Sequence, residues 1–164
     1  MKLLYLVRHA KSSWANMSLA DHDRPLNNRG KRNAPEMGKR LHSRGILPDL
    51  LISSTAKRAL STAKKIALEI NYEPNKIRTS RFLFHAGEED IVELIKQQDN
   101  DLDSLMLFGH NPGFTYCVNL LSNAGIDNLP TCGIIAISFD TDSWRDIERG
   151  QGKLTFFDYP KKLP

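Results

Sequence analysis

Short, almost wholly apolar runs separated by helical periods constrain this chain more than any other feature. Leu3 to Val7, Leu50 to Ile52, Leu105 to Phe108 and Ile134 to Phe139 scarcely alternate with polar residues. That is the pattern of strands buried on both faces, not of a half-solvated sheet. The intervening segments can supply the cover. Ala56, Ala59, Leu60, Ala63, Ile66, Ala67 and Ile70 follow the i, i+3, i+4 rule behind Ser54 or Thr55 as cap. Phe114, Cys117, Val118, Leu121 and Ala124 mark a helix that Gly125 ends. Ile91, Leu94 and Ile95 mark a shorter one that opens in the acidic turn Glu88-Glu89-Asp90, where carboxylates suit the helix dipole. A further helix between Asn28 and Gly45 rests on Ala34, Met37 and Leu41, and Pro35 must either start it or kink it. Lys153 to Tyr159 adds a final strand and Ile77 to Thr79 a minor one. Strands alternating with helices predict an α/β fold, a three-layer α/β/α sandwich whose mainly parallel central sheet is mixed toward the C-terminal end.

A chain of 164 residues suits one domain, 1–164, burying roughly two thirds of its unfolded surface around one core. With 40% hydrophobic and 26% charged residues, a disordered chain is excluded. No apolar run approaches the ~20 residues of a membrane span, and no signal-peptide pattern follows Met1 and Lys2, so a cytoplasmic monomer without membrane contact is expected. Cys117 and Cys132 show neither CxxC nor metal spacing and read as reduced packing residues. The net charge of +4 allows an anionic partner, but solvated helix faces account for it, and no nucleic-acid partner is expected.

In sheets of this kind ligands bind beyond the carboxyl ends of the strands. Three such ends carry basic side chains: Arg8 and His9 after the first run, Ser53 to Arg58 after the second, and Gly109-His110-Asn111-Pro112-Gly113 after the run at 105–108. Arg58 falls in the first turn of its helix, from which side chains lean back toward the same edge. Two histidines and two or more arginines without a carboxylate cluster make a poor metal site and a good phosphate site. Guanidinium groups grip phosphate oxygens in bidentate pairs and stabilise the charge of phosphoryl transfer, and a neutral imidazole beside them can be the nucleophile. Singly, each has a plainer role: a strand-end ion pair for Arg8, a buried histidine for His9 or His110, a solvated helix residue for Arg58.

Leu6-Val7-Arg8-His9-Ala10 resembles the Arg-His-Gly signature of the histidine phosphatase superfamily, the phosphoglycerate-mutase-like fold. In the expected order follow Asp23-Arg24-Pro25-Leu26-Asn27-Asn28-Arg29-Gly30, Ser53-Ser54-Thr55-Ala56-Lys57-Arg58-Ala59-Leu60-Ser61-Thr62-Ala63, and Phe108-Gly109-His110-Asn111-Pro112. The resemblance is to the SixA-like phosphohistidine phosphatase branch. It implies His9 as the residue phosphorylated, Arg8 and Arg58 as a phosphate clamp, and His110 as a second imidazole on the transferred group. Arg24 matches an arginine of the same pocket, the alternative being a loop arginine that holds Asp21 to Pro25 in place.

Two departures matter. Ala10 replaces the signature glycine, which is harmless where the backbone φ is negative. Larger members carry a glutamate as general acid within a capping insertion after the third strand, and Phe82-Leu83-Phe84-His85-Ala86-Gly87-Glu88-Glu89 stands there instead. His85, Glu88 and Glu89 are the candidates for that role, with helix capping the alternative for the two glutamates. A site without that insertion is open enough for a phosphohistidine displayed on another protein. The expectation is therefore a phosphohistidine phosphatase working through phospho-His9 without cofactor or metal. The alternatives are a phosphatase of small phosphate esters and a non-catalytic basic module.

Overall fold

The computed structural model describes residues 1–162. Six strands, β1 (Lys2–Arg8), β2 (Leu50–Ser54), β3 (Arg78–Ser80), β4 (Ser104–Gly109), β5 (Ile134–Phe139) and β6 (Lys153–Asp158), form one sheet in the order β3-β2-β4-β1-β5-β6. β3, β2, β4 and β1 run parallel, whereas β5 pairs antiparallel with β1 and β6 antiparallel with β5. The expected mixed sheet is therefore observed, parallel where helical crossovers separate the strands and antiparallel at its C-terminal side. Four helices, α1 (Asn28–Ser43), α2 (Lys57–Glu69), α3 (Glu88–Lys96) and α4 (Gly113–Leu121), cover it.

Two apolar cores follow from burial of both sheet faces. On one, Val7, Leu51, Met106 and Ile134 meet Ala34, Met37 and Leu41 of α1 and Ala63, Ile66 and Ala67 of α2. On the other, Leu4, Leu6, Ile52 and Leu107 meet Ile91 and Ile95 of α3, Phe114 and Val118 of α4, and Trp144. Every residue of β2 is buried, as the continuous apolar pattern predicts. Both cysteines are free and buried, and burial raises both thiols, Cys132 to about 12. No helix among the described residues is long and apolar enough to cross a membrane.

Two local expectations are corrected and one left open is decided. Ser54 and Thr55 do not cap α2 with their side chains: its N-cap is Ala56, without a side-chain cap bond. Their hydroxyls go instead to His110 and His22, 2.8 Å each. Gly125 does not end α4, which stops at Leu121. Ser122 is extended there, bonds its hydroxyl back to Val118 and bridges to Gly152, while Gly125 takes a left-handed φ of 58° in the following loop. Pro35 does not start α1 but sits inside it. The start is at Asn28, where the Asn27 side chain accepts the Gly30 N–H at 2.8 Å. A Cβ at Gly30 would lie 2.2 Å from the Lys11 carbonyl oxygen, so only glycine lets α1 begin against the chain leaving β1.

Candidate active site

The sheet register brings the two histidines together. Arg8, the last residue of β1, pairs with Gly109, the last of β4, and the His9 N–H donates to the Gly109 carbonyl at 3.0 Å. His9 and His110, each one residue further on, therefore emerge side by side with ring centroids 5.2 Å apart. β2 pairs with β4 on the far side, Ser53 opposite Phe108, which brings the Ser54 hydroxyl to His110 Nε2 and α2 with Arg58 to the same edge. Ala10, fully buried, has no positive φ and donates its N–H to Thr62 Oγ1 at 2.9 Å. The replacement of the signature glycine is thus accommodated in ordinary backbone.

Hydrogen bonding assigns the tautomer of His9. His9 Nδ1 lies 2.7 Å from the Ala10 carbonyl oxygen. A carbonyl only accepts, so Nδ1 carries the proton and Nε2 keeps its lone pair. Burial, with the Ala10 bond opposing it and the charges of Arg58, Arg8 and Arg24 adding to it, lowers the His9 pKa to about 4. Burial, then the neighbouring His9, Arg58 and His85, lowers that of His110 to about 3. Both rings are neutral near pH 7. Ser54 Oγ accepts the Ala56 N–H at 3.1 Å and lies 2.8 Å from His110 Nε2, and a hydroxyl there can serve either tautomer of the ring.

The arginines are held differently from one another. Arg58 is 5% exposed. It donates from Nη1 to the Asp21 carbonyl at 2.6 Å and from Nη2 to the Asp21 carboxylate at 3.1 Å. Arg24 donates from Nε to that carboxylate at 3.0 Å and from Nη1 to Ser12 Oγ at 2.8 Å and the Ser13 carbonyl at 3.3 Å, with Trp14 stacked 3.5 Å from its Cζ. Of the roles weighed for Arg24, tying down the 21–25 segment is the one its bonds show, and its charge also reaches His9. Arg8 has one bond, from Nη1 to the Leu129 carbonyl at 3.0 Å. Among the described residues the buried side-chain polar atoms without a partner are Arg8 Nε, Arg58 Nε and His110 Nδ1. An unsatisfied buried donor costs ~1–3 kcal/mol, and all three stand around His9.

Sequence reasoning missed Asp21. Burial raises its carboxyl pKa, but the bonds and charges of Arg24 and Arg58 outweigh burial and hold it below the usual carboxylate range. Its spacing three residues before Arg24 was the available signal, since i, i+3 acid–base pairs meet on one helical turn, here the 3-10 turn Asp21–Asp23.

On the other side of His110 lies a cavity of about 220 Å³, lined by His85, Glu88, Pro112 and Tyr116 among others. A Cβ at Gly113 would lie 2.1 Å from the Ala86 carbonyl oxygen, so glycine there lets the 110–113 turn press against this segment. His85 holds a left-handed φ of 65° and stacks on Phe84, with centroids 3.9 Å apart. Phe84 in turn sits edge-on to His110 at 5.5 Å. Of the other acid candidates, Glu88 reaches this cavity, whereas Glu89 pairs with Arg149 away from it. Neither glutamate caps α3; Asp90 does, accepting the Gly87 N–H at 3.4 Å. Among the described residues no three His, Cys, Asp or Glu side chains are grouped to hold a metal ion.

Residues 4–80 match the model of the histidine phosphatase superfamily, branch 1. An uncharacterised chloroplastic protein of Arabidopsis thaliana is 34% identical over 151 residues, covering 87% of this chain and 69% of its own. The structure described as the putative phosphohistidine phosphatase SixA from Agrobacterium tumefaciens superposes with a TM-score of 0.79 at 28% identity, over 97% of this chain and 98% of that one. The protein histidine phosphatase SixA complexed with tungstate gives 0.81 at 18% identity, over 96% and 97%, a likeness of fold. By the match over residues 4–80 and the likeness to the Agrobacterium structure, this chain belongs to the histidine phosphatase superfamily, in the SixA-like branch, and is a phosphatase.

Proposed function

We propose that the chain hydrolyses phosphohistidine on proteins through a phosphorylated His9, without a metal ion. The observation that carries this reading is that three unpartnered buried nitrogens, Arg8 Nε, Arg58 Nε and His110 Nδ1, belong to residues around a neutral imidazole whose Nε2 lone pair is free. A bound phosphoryl group would accept from both guanidinium Nε atoms, and from His110 Nδ1 when the ring proton sits there. Attack by His9 Nε2 on phosphorus forms the Nε2–P bond as the bond to the leaving nitrogen breaks, and that imidazole, already protonated on its other nitrogen, departs neutral. Water then attacks phosphorus, the Nε2–P bond breaks with its electron pair returning to Nε2, and phosphate leaves carrying the oxygen and both protons of the water. The arginines stabilise the charge on the equatorial oxygens throughout, a task that metal ions perform in other phosphoryl-transfer sites.

The leaving group separates phosphohistidine from phosphate esters. An alkoxide needs a proton in the transition state, and the only imidazole beside the cavity next to His110 is His85, held by stacking and without a hydrogen bond of its own. Phosphohistidine needs no such acid. The complex of protein histidine phosphatase SixA with tungstate, a tetrahedral oxyanion, agrees with an anion in this fold.

The test is turnover of a phosphohistidine protein, an aryl phosphate and an alkyl phosphate in the presence of EDTA. The expected order of kcat/KM is phosphohistidine, aryl, alkyl, with acid-labile label on His9 and none in His9→Ala. His85→Ala should slow the alkyl ester by up to ~100-fold while sparing phosphohistidine. Fast alkyl hydrolysis, or activity restored only by magnesium, would refute the reading.

A further inference from the structure

Beside the phosphoryl site, and sharing Arg8 with it, lies a second cavity of about 360 Å³. It runs between the start of α1, the chain leaving β1, the turn before β5 and the segment after β6. Arg8, Lys11, Arg29 and Lys161 line it, with neutral Asn128 and Tyr159 among the rest and no Asp or Glu. None of these four cations makes a salt bridge among the described residues. By contrast, Arg24 and Arg58 share Asp21, and Arg40 has both Glu36 and Asp158.

The wall that carries Lys161 is fastened. Arg40 donates to the Asp158 carboxylate and to the Tyr159, Pro160 and Lys162 carbonyls, all within 3.1 Å. The first turn of α1, which carries Arg29, adds the positive end of its dipole. Like charges collected in one concavity repel each other and draw in an anion.

We infer that this trough binds carboxylate side chains flanking the phosphohistidine of a protein substrate. The inference rests on the phosphohistidine reading of the neighbouring site. Its volume is at the small end of ligand pockets, roughly 300–1,000 Å³, yet its lining is cationic where such pockets are mostly apolar. Lys11, Arg29 and Lys161 are exposed, which suits acidic side chains that stay partly in water. Because Arg8 belongs to both cavities, an acidic residue seated here lies within a few residues of the phosphoryl group. Charges at such a rim act mainly on association and on its salt dependence.

The experiment compares wild type with the triple variant Lys11→Glu, Arg29→Glu, Lys161→Glu, leaving Arg8 intact. Turnover is measured on a phosphohistidine peptide flanked by Asp and Glu, on the same peptide flanked by Ser, and on an aryl phosphate. Binding of the unphosphorylated acidic peptide is followed by fluorescence anisotropy at low and high salt. The expected result is an about tenfold loss for the acidic peptide in kcat/KM and in affinity. The loss should vanish at high salt, and the Ser-flanked peptide and the aryl phosphate should change less than twofold. Equal wild-type turnover of the two peptides, or acidic-peptide binding that survives the triple variant, overturns the inference. So does binding of citrate, lost in the variant, where the acidic peptide does not bind. If neither phosphohistidine peptide is cleaved while the aryl phosphate is, the substrate reading fails, and the anisotropy still decides the trough.

Discussion

The two flanks of His9 balance their charge in opposite ways. On one, Arg24 and Arg58 are locked to a single carboxylate, Asp21, which fixes their guanidinium groups and offsets part of their charge. On the other, Arg8 is held by one backbone carbonyl and opens on a trough of uncompensated cations. The first flank is built for geometry: a fork already oriented loses little entropy when phosphate arrives. The second is built for attraction over distance. A phosphatase of this design separates the group that must be placed within tenths of an ångström from the groups that need only recruit.

The difference can be broken by substitution, beginning with its strongest member. Arg58→Lys keeps the charge but loses both bonds to Asp21 and the bidentate fork, and kcat/KM should fall at least ~10-fold, about 1.4 kcal/mol of transition-state stabilisation or more. Arg24→Lys, at a residue without the unpartnered buried nitrogen that Arg58 has, should cost only a few-fold. Steady-state kinetics on one aryl phosphate compare the two, and wild-type rates in Arg58→Lys would place that residue outside the phosphate clamp.

Asp21→Asn sharpens the contrast from the other side. It removes the charge that offsets Arg58 while leaving an oxygen acceptor, so inorganic phosphate should inhibit more strongly. At the same time kcat should drop a few-fold as the guanidinium groups loosen. Weaker phosphate inhibition together with a lower kcat would mean that Asp21 only props the loop.

A separate prediction concerns stability against pH. Burial lowers His9 to about 4 and His110 to about 3, against about 6.5 in an unfolded chain. Between pH 6.5 and those values the unfolded state binds more protons. Stability therefore falls with acidification, by about 1.4 kcal/mol per pH unit for each ring, and is flat above pH 7 as far as these rings are concerned. Urea unfolding from pH 7.5 down to pH 4.5 should show this slope, and His9→Gln should remove about half of it. An unchanged slope in that variant would mean that the His9 ring takes up protons in the native state as readily as in the unfolded one.

Much of this architecture was legible in the chain because it depends on local period and on strand ends. The four buried runs became β1, β2, β4 and β5 to within a residue or two. The residues just beyond three of them, His9, Arg58 and His110, converge because parallel strands in register end together. The partners of those residues were not legible. Ser54 and Thr55 carry the signal of a helix cap, and a hydroxyl one turn from a helix start serves a cap or an imidazole equally well until the imidazole's position is known. Asp21 reads as a loop acid, and nothing local says that it faces α2 across 37 positions.

Residue types and their periods alone determined that this chain would build a covered, mainly parallel sheet and set basic and imidazole side chains at its carboxyl edge. They do so because burial of apolar surface and the end of a strand are consequences of the chain's own pattern. Tertiary structure alone decided which nitrogen of His9 holds the proton, which arginines share a carboxylate and which go without. Hydrogen bonds and charge pairs act over a few ångströms, and those distances exist only once segments far apart in the chain have been packed together.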